Sequence, residues 1–152
     1  MTESENKALI RRWFNEVWNQ GRQDLIDQLR APDAIANGLG ESDKQVKGPA
    51  AFKTYFSRMR AALSDLRVKI DDILAEEDKV AVRLSIEGRH SGEGLGLPPT
   101  GRRVYFTGMA VIRIADGKIV EAWNNLDYLQ LLIQIGAVPT NAEQDRFLGS
   151  HS

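Results

Sequence analysis

The chain has 152 residues, 42% of them hydrophobic and 27% charged, the size and make-up of a single globular domain with its own core. Lys and Arg number 20 against 21 Asp and Glu, so a net charge of −1 leaves no one-signed field for nucleic acid or an anionic membrane. With no cysteines, disulfides, thiolate nucleophiles, cysteine-held zinc and iron–sulfur clusters are excluded.

The acidic start Met1–Asn6 is unlike a basic, then apolar, signal peptide, and no apolar run approaches the roughly 20 residues of a membrane span. The expected location is cytoplasmic. From Asn6 to Gln20 the apolar residues Ala8, Leu9, Ile10, Trp13, Phe14, Val17 and Trp18 recur at steps of three and four. That spacing predicts an amphipathic helix, with Ser4 or Asn6 as N-cap and Gly21 past its end. A shorter helix over Asp24–Leu29 buries Leu25, Ile26 and Leu29 and is ended by Pro32. Residues 34–46 read as a weak strand plus loop. Pro49 then opens a third helix, whose buried stripe is Ala51, Phe52, Tyr55, Phe56, Met59, Ala62 and Leu63, with Ser64-Asp65 closing it.

The second half changes period. Leu66–Ile70 and Val80–Glu87 alternate, and Val104–Ile114 and Lys118–Trp123 add two more strands. Ala115-Asp116-Gly117-Lys118 is a hairpin turn, since Asp-Gly supplies positive φ. The Gly/Pro-rich stretch Ser91–Gly101 lacks the strand-to-helix setting of a dinucleotide loop and reads as a long hairpin connection over a cavity mouth. Helices first and strands second is an α+β pattern. The expected fold is a curved antiparallel sheet wrapped on the N-terminal helices, with a pocket at its open end. It forms one domain, with a core over residues 5–138 and a loose tail over 140–152.

Five segments occur in order: Val17-Trp18-Asn19-Gln20-Gly21, Gly88-Arg89-His90-Ser91-Gly92, Gly96–Gly101, Ala115–Glu121 and Leu131–Gly136. Together they resemble the SnoaL-like polyketide cyclase (ester cyclase) family across residues 5–138. The resemblance implies a cone-shaped α+β barrel of the nuclear-transport-factor-2 type, a homodimer packed through its sheets, a deep apolar pocket and no metal or organic cofactor. Family members act on aromatic, anthracycline-type polyketides, closing a ring by aldol condensation with an aspartate as general acid/base. Counted from the Asp116–Ile119 turn, that aspartate falls at Asn124. The family's glutamine and histidine on the preceding strand fall near Gly108 and Ala110, and a further histidine at Ala122. An amide does not exchange a proton as a carboxylate does. A register three residues on would give the role to Asp127.

The stretch Glu121–Asp127 gathers polar side chains where a strand runs into the last helix. Asn124 can donate and accept at once; its alternative is to satisfy strand-end backbone groups. Asp127 is a candidate base or the helix N-cap. His90 is a candidate acid or base, while its place at the mouth of the Gly-rich loop also suits a loop-fixing hydrogen bond. Substrate walls are assigned to Trp13, Phe14, Tyr55, Phe106 and Trp123, with Asn37 as a polar pocket group. Arg83, Ser85 and Glu87 share one strand face, solvated or facing a second copy, or else form a charged relay inside. No metal-ligand cluster, Ser–His–Asp set or P-loop is present.

These residues suggest an aromatic polyketide-tailoring enzyme. An amide at position 124 favours hydroxylation of the bound ring system, with a reductase partner supplying electrons. The alternatives are ester-cyclase ring closure and a non-catalytic binding protein on the same fold.

Overall fold

The computed structural model describes residues 2–39 and 45–138. Residues 40–44 and the tail with His151 lie outside them. Helix α1 (Glu3–Arg12) starts from Thr2, whose hydroxyl accepts from the Glu5 amide at 3.0 Å; this cap precedes both expected ones. Asn6 is instead buried in the first turn, and its Nδ2 reaches the Glu77 carbonyl at 3.4 Å.

The expected single α-helix does not continue to Gln20. Residues Trp13–Trp18 widen into a π-helical turn, in which the Asn19 amide reaches back five residues to the Phe14 carbonyl. Such turns inside helices often mark functional sites. A 3-10 turn (Gln23–Leu25) runs into α2 (Ile26–Leu29), and strand β1 (Arg30–Asn37) follows at once, carrying Pro32. A two-residue strand β2 (Val46–Lys47) leads into α3 (Gly48–Ala62). The expected stripe of α3 is buried except for Ala51, which faces solvent.

Strands β3 (Leu63–Glu76), β4 (Lys79–His90), β5 (Arg103–Ala115) and β6 (Lys118–Leu126) run longer than their alternating segments, and α4 (Tyr128–Gln134) closes the described chain. The six strands form one curved, unclosed sheet in the order β2-β1-β6-β5-β4-β3. The structure departs from the expected barrel at the two edges, which do not meet. It departs from a purely antiparallel sheet at β1–β6, which pair in parallel. Register breaks in β3, between β5 and β6, and in β1 bend the sheet. The Asp116-Gly117 turn has positive φ at both residues, as expected.

On the concave face Val80, Val82, Leu84 and Ile86 of β4 alternate with solvent-side residues, as do Val104, Phe106, Ala110, Ile112 and Ile114 of β5. Helices α1 and α3 fill the hollow, burying apolar surface from both layers. Asn19 secures this layer to the sheet edge, its amide bonding both the N–H and the carbonyl of Val68 at 2.6 and 2.8 Å. Among the described residues no helix is long and apolar enough to cross a membrane.

Candidate functional site

The hollow between sheet and helices narrows to an apolar cavity that opens to solvent at one end. Its apolar walls with a few polar groups suit a small organic ligand. Trp13, Phe14 and Trp18 come from the helix and its π-turn, and Phe52, Tyr55 and Met59 from α3. The sheet adds Phe106 and aliphatic residues of β3 to β6. The five-residue bonding of the π-turn brings Trp13 and Trp18 to one side, where Trp13 packs on Phe52 with centroids 5.4 Å apart.

Asn124 is placed by two features of the fold. Strand β6 turns Ala122, Asn124 and Leu126 into the cavity, and Asn124 stands opposite Ala110 of β5. Gly38, at φ +79°, lets the end of β1 approach so closely that a Cβ there would lie 2.0 Å from the Asn124 carbonyl oxygen. The approach brings the Asn37 carbonyl within 2.9 Å of Asn124 Nδ2. A carbonyl partner demands a donor, so the amide orientation follows, and among the described residues nothing donates to its Oδ1.

The other proposed site residues separate into those at the cavity and those away from it. Trp13, Phe14, Tyr55, Phe106 and Asn124 line it. Trp123 does not: it lies 39% exposed on the outer sheet face, because neighbours in a strand point to opposite sides. Asn37 is not in the wall either. Its Nδ2 donates to Glu121 Oε2 and to the Ala122 carbonyl, both at 3.0 Å, while its Oδ1 accepts from Gln45 Nε2 at 2.8 Å. It holds β1 against β6.

Asp127 is exposed and caps α4, accepting from the Gln130 amide at 3.1 Å. His90 is fully buried away from the cavity. Its Nδ1 contacts the Thr100 hydroxyl at 3.0 Å and accepts from the Thr100 amide at 3.3 Å, which fixes the returning end of the Gly-rich loop. That loop does not cover the cavity. Gly92 presses against the Ala61 carbonyl, where a Cβ would sit at 1.8 Å, and Leu95 and Leu97 pack on the core. Arg83 lies on the outer face, paired with Asp72 at 2.7 Å.

Two groups were not anticipated, one in the cavity wall and one behind it. Arg30, the first residue of β1, is 4% exposed and lines the wall. Burial lowers its pKa, although an arginine stays charged. Tyr128, from the first turn of α4, meets Tyr55 hydroxyl to hydroxyl at 2.6 Å. Burial raises the pKa of both, and for Tyr128 the neighbouring Tyr55 adds to the effect. At neutral pH the pair is two phenols, able to donate a proton but poor at taking one. Among the described residues no carboxylate and no imidazole lines the cavity, and no three His, Cys, Asp or Glu side chains gather as metal ligands.

Comparison with known proteins agrees with this architecture. Residues 8–135 match the model of the SnoaL-like polyketide cyclases. The aklanonic acid methyl ester cyclase DauD of Streptomyces sp. (strain C5) is 32% identical over 130 residues, covering 84% of this chain and 80% of that protein. The nogalonic acid methyl ester cyclase of Streptomyces nogalater is 32% identical over 122 residues, covering 79% and 90%. Among solved structures AclR of Streptomyces galilaeus, a candidate hydroxylase, superposes with a TM-score of 0.80 at 31% identity, covering 91% of this chain and all of that one. The chain therefore belongs to the SnoaL-like polyketide cyclase family.

Proposed function

We propose that the protein is a polyketide-tailoring enzyme that closes a ring in a flat polyketide methyl ester by intramolecular aldol condensation. The observation that carries this reading is the cavity: flat aromatic and aliphatic walls with a few converging polar groups, in a chain 32% identical to methyl ester cyclases. In such a closure the carbon between ester and ketone releases a proton to water. The enolate carbon attacks the second ketone, and the new alkoxide takes a proton back, so substrate and product are isomers.

Trp13, Trp18 and Phe106 would hold the ring plane, and position contributes much of the rate in a unimolecular closure. Asn124 Oδ1 accepts a substrate hydroxyl and fixes its orientation. Tyr55, a phenol in the cavity wall, would return a proton to the alkoxide. Assembly fits the same reading. Leu74, Ala81, Val111 and Trp123 are cross-strand neighbours in one row over β3 to β6, with Leu74, Val111 and Trp123 exposed on the outer face. An exposed apolar row of this kind suits a second copy of the chain packed sheet to sheet.

Hydroxylation with a reductase partner is the second reading. It is favoured by the amide at position 124 and by the likeness to AclR. Mass spectrometry separates the two. Incubation with a polyketide methyl ester carrying a free side-chain ketone is expected to give a product of unchanged mass and altered absorbance. Gain of one oxygen, dependent on added reductase, would replace the cyclase reading. Saturable binding with neither product would leave a binding protein.

A further inference from the structure

Arg30 is buried with no charged partner among the described residues. It opens β1 beside Ile119 of β6, just before the register break, and its side chain turns inward. Its Nη1 donates to the Gly48 carbonyl at 3.0 Å, and its Nη2 to the carbonyls of Ala34 at 3.0 Å and Val46 at 3.4 Å. The guanidinium carbon lies 4.6 Å from the centroid of Phe52, another cavity residue. These contacts tie β1, β2 and the start of α3 together, which accounts for three N–H groups. They do not account for the charge. Carbonyl dipoles carry no net charge, and among the described residues no carboxylate pairs with Arg30.

Buried ions are normally paired, because desolvation is costly. Here a cation nine-tenths buried stands in the wall of an apolar cavity whose other polar groups are neutral: Asn124, Tyr55 and two indoles. A guanidinium has five N–H donors, so the three recorded bonds leave two without an acceptor among the described residues. A neutral donor would serve as a clamp without the desolvation cost. The charge has a use only if a negative group arrives.

We infer that Arg30 is an anion subsite: it receives an ionised oxygen, enolate or phenolate, of a flat polycyclic ligand and makes the cavity select acidic ligands over neutral ones. For the identity of the natural ligand this rests on the polyketide reading above; for the preference between charge states it stands on Arg30 alone. In a ring closure the negative charge lies first on the enolate oxygen and then on the alkoxide, and a fixed cation in an apolar cavity stabilises both without reorganising.

The test uses quinizarin, a dihydroxyanthraquinone whose phenolate absorbs to the red of the phenol, with anthraquinone as the non-ionising control. Bound to the wild-type protein, quinizarin is expected to ionise about one to two pH units below its free value, equivalent to about 10- to 100-fold tighter binding of the phenolate. Arg30→Gln should remove the shift, and Arg30→Lys should retain part of it. If Arg30→Gln fails to fold, the wild-type titration decides, since the preference is read on the native protein. Bound quinizarin that ionises at its free value or above overturns the subsite, as does a shift that persists in folded Arg30→Gln. No saturable binding of either quinone overturns the subsite and the polycyclic ligand class together. A shift without ring closure of the methyl ester upholds the subsite and refutes only the cyclase reading.

Discussion

Asn124→Asp is the perturbation that tests the site most directly. Asn124 Nδ2 donates to the Asn37 carbonyl at 2.9 Å, and aspartate puts an oxygen in its place. Two acceptors share that contact only if one carries a proton. The opposing carbonyl and the apolar walls therefore hold the new carboxyl protonated in the folded state, above the value of about 3.9 for a free aspartate. For a half-buried group a rise of about 2, to about 6, is the expected size. Between those values the unfolded chain has released its proton and the folded chain has not, so stability falls as pH rises. The slope is about 1.4 kcal/mol per pH unit, and the loss levels off near about 3 kcal/mol above about pH 6. Asn124→Ala loses a neutral hydrogen bond, about 1–2 kcal/mol, with no such slope. Urea unfolding of wild type and both variants between about pH 4 and about pH 8 reads the difference directly. A loss that stays flat or shrinks with rising pH would refute the reasoning. It would mean that the carboxylate is ionised, attracted across the cavity by Arg30, and that Asn37 does not orient the side chain.

Gly38→Ala forces a Cβ to within 2.0 Å of the Asn124 carbonyl oxygen at a φ of +79°; a loss above about 2 kcal/mol in urea unfolding is expected, together with weakened ligand quenching of tryptophan fluorescence. Asp127→Ala removes the cap of α4 and should cost about 1 kcal/mol while leaving the ring-closure rate unchanged; a folded variant without turnover would restore Asp127 as the base. The Tyr55–Tyr128 pair, both raised by burial, adds a dependence on alkaline pH. Stability is fully present below the unfolded tyrosine value of about 10 and declines above it, because only the unfolded chain ionises readily. In a Tyr105→Phe background the phenolate band then comes from this pair alone and should rise in step with unfolding; a band that rises before circular dichroism changes would contradict the buried contact.

Much of the fold was legible because its signals are local. The period change near residue 65, the Asp-Gly turn and the aromatic spacing over 13–18 each follow from neighbours in sequence. The π-turn was not legible, since the same spacing serves an α-helix and only packing against Phe52 and Tyr55 distinguishes them. One error could have been avoided. Trp123 and Asn124 are adjacent in a strand and cannot both face one cavity, so accepting Asn124 already places Trp123 outside. Asn37 and His90 carried the right chemistry in the wrong place, because their partners Glu121, Gln45 and Thr100 are set by strand pairing and loop return. Arg30 and Tyr128 had no signal. An arginine opening a weak strand reads as surface, and its burial depends on carbonyls from three separate segments.

The residues around Asn124 also predict the pH dependence of turnover. Gly108 and Ala110 of β5 stand opposite Leu126 and Asn124 of β6, and Ala122 lies two residues before Asn124 on the cavity side. At Gly108, Ala110 and Ala122 the family resemblance implies a glutamine and two histidines, whereas this chain carries no titratable group at the three positions. At Gly108 the space is taken by Leu126, whose Cδ2 lies 2.3 Å from where a Cβ would stand. What charge remains in the described wall is the cation of Arg30. A cavity of this kind stabilises an anion that the substrate forms by its own acidity and does not set the proton equilibrium itself. The ring-closure rate should therefore rise about tenfold per pH unit up to the ionisation of the substrate carbon, with no limb from an enzymic base. Steady-state rates on a methyl ester and on a more acidic analogue should show the plateau moving with the substrate's own pKa. A bell-shaped profile with the same lower limb for both substrates would require a side chain in the cavity that takes the substrate proton as a base, and would refute this account of Asn124.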